Sequence, residues 1–462
     1  MYDLLVIGSG PGGYVAAIRG AQLGMHTAIV ERAELGGICL NWGCIPTKAL
    51  LKSAQALHTA QHAADFGITI NGDVKPDIGK IVARSRAVAA GMNKGVEYLL
   101  KKNNVTLLQG SACLQADRSV EVTAGDDSKQ RVTARHIIIA AGARANTLPF
   151  APIDGDKIIG YRQALVPEVI PPSMAVIGSG AIGSELAWFY HALGTQVHLI
   201  ETLDNIVPLE DEDVSAQLSR SFRKAGIKVM TGAALQKVDT SGEGCELHLR
   251  TKKGEERLHV SLVLSAVGIT PNTEGLGLKN LSIDTERGRI KVDEHFQTRA
   301  EGVYAIGDVI ATPALAHVAS AEAIHCVEHI AGRRTTPINY HNIPSCIYTT
   351  PEIASVGLTE KAAREKGFEL KIGKFPFTAS GKAAAAGEKD GFVKLIFDAG
   401  TDALLGAHLI GAHVSEMIAG LVTARNLGVK GADIIRSIHP HPSMSEALME
   451  AAAAAHGESV HL

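Results

Sequence analysis

Two segments of the chain read alike, and that duplication constrains the fold more than any other feature. Leu4-Leu5-Val6-Ile7-Gly8-Ser9-Gly10-Pro11-Gly12-Gly13 and Met174-Ala175-Val176-Ile177-Gly178-Ser179-Gly180-Ala181-Ile182-Gly183 are each a short apolar run that enters GxGxxG and then a small-residue stretch. Each stretch ends at Leu-Gly (Leu23-Gly24, Leu193-Gly194), and a second apolar run follows that stops at an acid, Glu31 or Glu201. The acid stands at the same distance from the first glycine in both copies. This is a βαβ dinucleotide fingerprint present twice. Its glycines let the backbone approach a pyrophosphate, and the helix N-terminus adds N–H donors and partial positive charge. The acid accepts hydrogen bonds from ribose hydroxyls. Glu201 would repel a 2′-phosphate and no arginine follows it directly, so the second site is expected to prefer NAD over NADP.

Punctuation around the copies sets the expected boundaries. Ile137-Ile138-Ile139-Ala140-Ala141-Gly142 reads as a buried strand with a glycine stop, and Pro149, Pro152, Pro171 and Pro172 mark the approach to the second copy. That copy closes at Leu262 to Gly268, and Val303 to Asp308 is a further buried strand stopping at an acid. From about Ile338 the pattern changes to strands (Phe392 to Phe397, Leu404 to Ile410) alternating with helices. The expectation is an α/β fold with two Rossmann-like nucleotide-binding domains, 1–147 and 148–268, a segment 269–337 completing the first, and a C-terminal α+β domain, 338–462. The 462 residues suit three such bodies at about 150 residues each. With 48 glycines and only 4% aromatics, the composition fits many tight strand-to-helix turns.

Charge and hydropathy narrow the partners. Lys plus Arg (45) nearly balances Asp plus Glu (48), which argues against nucleic acid. The most membrane-like window, Leu404 to Ala424, contains His408, His413 and Glu416 and reads as a strand followed by a helix. Met1 to Gly13 has no basic leader, so a soluble, cytoplasmic protein is expected.

Of six cysteines, none forms CxxC, which argues against a zinc ribbon, and the histidines show no metal spacing. Cys39 and Cys44 fall in Gly36-Gly37-Ile38-Cys39-Leu40-Asn41-Trp42-Gly43-Cys44-Ile45-Pro46-Thr47-Lys48. A helix is expected from about Pro46, which puts Cys44 near its N-terminus, where a thiolate is favoured, and Lys48 one turn further on. A nicotinamide-type site beside such a pair suggests electron transfer between a dithiol and a nucleotide. Cys113, Cys245, Cys326 and Cys346 read as ordinary thiols. In His439-Pro440-His441-Pro442-Ser443-Met444-Ser445-Glu446, Ser443 and Glu446 have capping-box spacing. The run Glu210-Asp211-Glu212-Asp213 reads as a solvated helix start.

These motifs identify a resemblance over essentially the whole chain to the pyridine nucleotide-disulfide oxidoreductases, and within them to the branch that oxidises dihydrolipoyl groups. Gly36 to Lys48 matches their signature GGxCxxxGCxPxK. The resemblance implies one non-covalent FAD per chain on the first fingerprint, contacted by Gly8, Gly10, Gly13, Glu31, Lys48, Gly110, Ala141, Gly142, Ala143, Asp308, Ala314, Leu315, Ala316 and His317. The family usually has Thr-Gly where Ala141-Gly142 stands. It implies NAD on the second, contacted by Gly178, Gly180, Gly183, Glu185, Glu201, Leu235 and Gly268. Cys39 and Cys44 would form the redox disulfide, with Cys39 the interchange thiol and Cys44 on the flavin side. His441 would be the acid–base, oriented by Glu446, and Lys48 would pair with Glu185 near the flavin. Residues 338–462 would be the dimer interface, the histidine of one chain completing the other chain's dithiol site. The implied partners are the lipoyl domains of the E2 component of 2-oxo acid dehydrogenase complexes, or the glycine-cleavage H protein. Two relatives compete: glutathione-reductase-like proteins, which need arginines for NADPH, and mercuric-reductase-like proteins, which usually add a C-terminal cysteine pair, whereas the last cysteine here is Cys346.

Overall fold

Leu4 to Ile7 is uninterrupted apolar sequence, which suits a strand covered on both faces. The computed structural model, which describes residues 1–462, places it as the middle strand, Tyr2–Ile7, of a five-stranded parallel sheet in the order Val303–Ala305, Ala134–Ile139, Tyr2–Ile7, Thr27–Glu31, Thr106–Gln109. Leu5 lies between Ala28 and Ile137 in that register. Helices Pro11–Gln22 and Ala316–Ile330 pack together, close enough that a Cβ on Gly12 would meet Ala319 at 3.2 Å. A three-stranded antiparallel ladder, Ser111–Leu114, Val120–Thr123 and Lys129–Val132, branches from this sheet. These elements form a compact unit of Met1–Leu50, Gly79–Asn146 and Gly268–Ile338.

The second unit comprises Leu51–Ile78, Thr147–Val267 and Asn339–Leu462. It repeats the pattern: a parallel sheet in the order Lys228–Met230, Gln196–Ile200, Ser173–Ile177, Leu262–Ser265, Ile158–Ile159, and an antiparallel ladder of Ala234–Asp239, Cys245–Thr251 and Gly254–Val260. The same unit carries a five-stranded antiparallel sheet, Ser345–Ile347, Glu352–Gly357, Leu404–Gly411, Phe392–Asp398 and Leu370–Pro376, in that spatial order. Helices Val414–Asn426 and Glu446–His456 join its core through Ile418, Leu421, Leu448 and Ala451. Gly373 is obligatory there, because a Cβ would lie 1.7 Å from the Ala451 carbonyl oxygen. No helix is long and apolar enough to cross a membrane.

The acidic run at 210–213 corrects the sequence reading. Asp211 does cap the helix Glu212–Ala225, accepting the Asp213 amide at 3.1 Å, but it is buried rather than solvated. Its carboxylate receives the Lys394 ammonium at 2.8 Å, and Lys394 also meets Asp213 at 3.0 Å and Glu360 at 2.8 Å. Burial pushes the Glu210 carboxyl up to about 7, against hydrogen bonds from Ser355 and Ser345. The physical reason lies in the sheet. Ser355, His408 and Lys394 are register partners on three neighbouring strands and give one face of an otherwise apolar sheet a polar row.

Candidate active site

Both fingerprints close into tight turns that only glycine allows. Gly8 sits at φ +97° and Gly178 at φ +95°. A Cβ on Gly13 would fall 1.8 Å from the Gly8 oxygen, and one on Gly183 would fall 1.9 Å from that of Gly178. Gly10 and Gly180, the caps of helices Pro11–Gln22 and Ala181–Ala192, instead face open space, and no side chain caps either helix. An uncapped helix N-terminus with clear room above its glycine fits a pyrophosphate, so the residues of both fingerprints suit a bound dinucleotide. The acids are held identically. Glu31 accepts the Ser9 amide at 2.8 Å and hydroxyl at 2.6 Å, and Glu201 accepts those of Ser179 at 3.0 and 2.7 Å. Sequence reasoning passed over these two serines. The available signal was that both copies read Gly-Ser-Gly.

The remaining nucleotide expectations divide by environment. Gly110, at φ +151°, donates its amide to the Glu31 carbonyl at 2.8 Å, and a Cβ there would strike the Thr123 oxygen at 2.5 Å. Gly142 takes φ +68°, and Asn272 ties down this stretch by donating to the carbonyls of Gly142 (2.9 Å) and Ala141 (3.0 Å). Ala143 is buried. Asp308 lies on a single 3₁₀ turn, Gly307–Val309, and burial pushes its carboxyl up against the opposing pull of Arg289. Ala314 and Leu315 lead into the helix Ala316–Ile330, with His317 exposed in its first turn. In the second unit, Glu185 is buried on the helix Ala181–Ala192 and accepts the Tyr348 amide at 3.0 Å. Gly268, in the first unit, takes φ +101°. The Leu235 side chain packs into the core around Leu247 and Leu249, so only its backbone is available to a ligand.

Cys39 lies on the short helix Gly37–Trp42, and Cys44 is the first residue of the helix Cys44–Gln61. The two thiols are separate and hydrogen-bonded to each other. That hydrogen bond, then burial, then the charge of a Cys44 thiolate push the Cys39 thiol well up, with Lys48 opposing. Cys44 opens its helix, where the free N–H groups and partial positive charge favour a thiolate. Three consecutive residues of the helix Ile78–Lys102 brace this segment. Arg84 donates to the Ala49 carbonyl (2.7 Å), Ser85 to Pro46 (3.0 Å) and Arg86 to Asn41 (2.6 Å), and the Arg86 guanidinium covers the Trp42 ring at 4.3 Å. No sequence pattern marks these three.

His441 Nδ1 meets Glu446 Oε1 at 2.8 Å, and Glu446 Oε2 accepts the Ser443 amide at 2.8 Å. A carboxylate only accepts, so Nδ1 carries the hydrogen and Nε2 is left to take a proton. Burial raises the Glu446 carboxyl, but the Ser443 amide and His441 outweigh it and hold it below its usual range. The expected capping box is only half formed. The helix begins at Glu446 with Ser445 as its cap, and the buried Ser443 hydroxyl has no hydrogen-bond partner. Glu446 uses both its oxygens to orient His441 and close the Ser443 turn.

The sequence pattern of the pyridine nucleotide-disulphide oxidoreductases matches residues 2–323, and that of their dimerisation domain matches residues 343–452. The chain belongs to this family and carries its dimerisation domain. Its relatives include proteins named dihydrolipoyl dehydrogenase. The one from Zymomonas mobilis is 47% identical over 100% of this chain and 99% of its own, and the one from Rhizobium etli is 46% identical over 99% and 98%. Among solved structures, LpdA from Mycobacterium tuberculosis superposes with a TM-score of 0.90 at 27% identity, covering 97% of this chain and 98% of that one.

Proposed function

We propose that this chain is an FAD-dependent, NAD-linked dihydrolipoyl dehydrogenase: it oxidises dihydrolipoyl groups to lipoyl and reduces NAD. The observation that carries the reading is the pair of free thiols Cys39 and Cys44, on two successive helices with Cys44 the first residue of the second, in a chain that folds two dinucleotide fingerprints. The FAD domain is assigned to 1–147 with 269–337, the NAD domain to 148–268 and the dimer interface to 338–462. The functional unit is a cytoplasmic homodimer in which one chain's His441 serves the other chain's Cys39–Cys44 pair.

The turnover begins with Cys39 and Cys44 as a disulfide. His441 Nε2 takes the proton of one substrate thiol, and the thiolate attacks Cys39. The Cys39–Cys44 bond breaks and Cys44 leaves as the thiolate. The second substrate thiol then displaces Cys39 from the mixed disulfide, closing the lipoyl disulfide; its proton passes to the departing Cys39, while the first proton stays on His441. Two substrate thiols are thus oxidised and the protein disulfide is reduced. Bound FAD supplies the two-electron relay from the dithiol to NAD. Lys48 is assigned to the flavin site and Glu185 to the NAD site. Glu31 and Glu201 hold the two ribose groups, and the uncapped helix ends hold the pyrophosphates. Lipoyl domains of the E2 component of 2-oxo acid dehydrogenase complexes are the proposed protein partners, with the glycine-cleavage H protein as an alternative.

One assay separates this reading from its relatives. Lipoamide and glutathione disulfide are each offered with NADH and with NADPH. Lipoamide with NADH is expected to be the one fast pair; glutathione reduction with NADPH would refute the proposal.

A further inference from the structure

The two nucleotide fingerprints build the same hydrogen-bond knot with one difference. In the first, the Gly36 amide donates to the Ser9 carbonyl at 3.0 Å and to its hydroxyl at 3.2 Å. In the second, the Val207 amide does the same to Ser179, at 3.2 Å to each oxygen. Gly36 holds φ +87°, which costs a glycine nothing, whereas Val207 holds φ +42°. A β-branched residue in that region is strained and persists only where its surroundings hold it there.

The supports of Val207 lie on both sides. Ile206 and Val207 are buried, and the Ser215 hydroxyl donates to the Ile206 carbonyl at 2.7 Å. After Val207, the Glu210 amide closes a turn onto its carbonyl at 2.9 Å. The next residue, Asp211, is clamped by the Lys394 ammonium at 2.8 Å, and its other oxygen accepts the Glu360 amide at 3.0 Å. Lys394 is 3% exposed, on the strand Phe392–Asp398. A buried lysine is maintained only against such partners.

We propose that Lys394 is a positioning residue for the NAD site: through Asp211 it holds Val207 in its left-handed conformation, which keeps the Val207 amide on Ser179 and so orients Glu201. This rests on the reading of Glu201 as the ribose ligand. Without the clamp, Val207 relaxes, and NAD binding must restore the arrangement from the fraction of molecules that retain it. An L side chain disfavours the left-handed region by about tenfold, so the expected rise in KM for NAD is about tenfold. The first site has glycine at the equivalent place, so FAD retention is independent of Lys394.

The test measures KM for NAD, kcat at saturating NAD and bound FAD. Lys394→Met and Asp211→Asn are each expected to raise KM for NAD about tenfold while kcat and FAD content stay at wild-type levels. Lys394→Arg is expected to restore part of the loss. Adding Val207→Gly to Asp211→Asn is expected to return KM toward wild type, which a merely structural defect would not allow. Asparagine still caps the helix and leaves Lys394 paired with Asp213 and Glu360, so Asp211→Asn carries the test if Lys394→Met does not accumulate. An unchanged KM in Asp211→Asn, or a raised KM that Val207→Gly fails to lower, overturns the proposal. Glu201→Gln separates the two levels: if it raises KM for NAD and Asp211→Asn does not, the clamp alone is wrong. If it leaves KM unchanged, the NAD-site reading falls and the clamp with it.

Discussion

Replacing Glu446 by glutamine keeps its shape and removes its second acceptor. The carboxylate serves two donors, His441 Nδ1 and the Ser443 amide, both at 2.8 Å. Glutamine has one oxygen and one NH₂, so one donor keeps an acceptor and the other faces an N–H. A hydrogen bond of this kind is worth about 1 kcal/mol net. Glutamine still offers one acceptor, so part of the orientation survives. With tenfold in rate corresponding to about 1.4 kcal/mol, Glu446→Gln is expected to lower dihydrolipoamide turnover by roughly threefold to fivefold. His441→Gln removes the general base itself and is expected to lose ~10²–10⁴-fold. The assay is steady-state NAD reduction by dihydrolipoamide, run beside oxidation of NADH by an artificial electron acceptor. The second reaction needs only the NAD site and the flavin, and it is expected to survive in both variants. Near-normal dihydrolipoamide turnover in His441→Gln would refute the base assignment. Equal losses in the two variants would refute the division between a base and its orienting partner.

Three further outcomes are expected. Cys39→Ser leaves a Cys44 thiolate beside oxidised flavin and is expected to show a long-wavelength charge-transfer band at neutral pH, which Cys44→Ser lacks; the reverse spectra would invert the thiol roles. Glu201→Ala combined with a nearby arginine is expected to raise NADPH use, and wild-type turnover with NADPH equal to that with NADH would defeat the charge-repulsion argument. Glu210 titrates at about 7 in the folded chain against an ordinary value of 4.5, so the folded state binds its proton more tightly and stability falls as pH rises across that window. Melting curves of Glu210→Gln should lack this fall, and the same pH slope in both proteins would show that another group carries it.

The α/β class was legible because glycine is the residue that dinucleotide turns cannot exchange. Gly8, Gly13, Gly178 and Gly183 lie where a Cβ would overlap a backbone oxygen, so chain geometry writes itself into sequence. The His441–Glu446 pairing was legible only through the family resemblance, and the structure places the two 2.8 Å apart. Lys394 was not legible. It stands in Phe392-Val393-Lys394-Leu395-Ile396, and nothing local says that this position faces three carboxylates rather than water. The acidic run was misread for the same reason, since its solvent is replaced by a sheet strand more than a hundred residues away in the chain. Arg84, Ser85 and Arg86 escaped notice because they brace the dithiol segment through backbone carbonyls, which leave no residue-specific mark.

The central claim is that electrons from a dihydrolipoyl group pass through Cys39 and Cys44. Its most direct test is to label the thiols at these two positions and locate the label by mass spectrometry of the peptide that contains both. The oxidised protein should take up none there. One equivalent of dihydrolipoamide, added anaerobically without NAD, should expose both thiols, and NAD added afterwards should close them again. Thiols at 39 and 44 that stay silent through the whole cycle while NADH still forms would contradict the account.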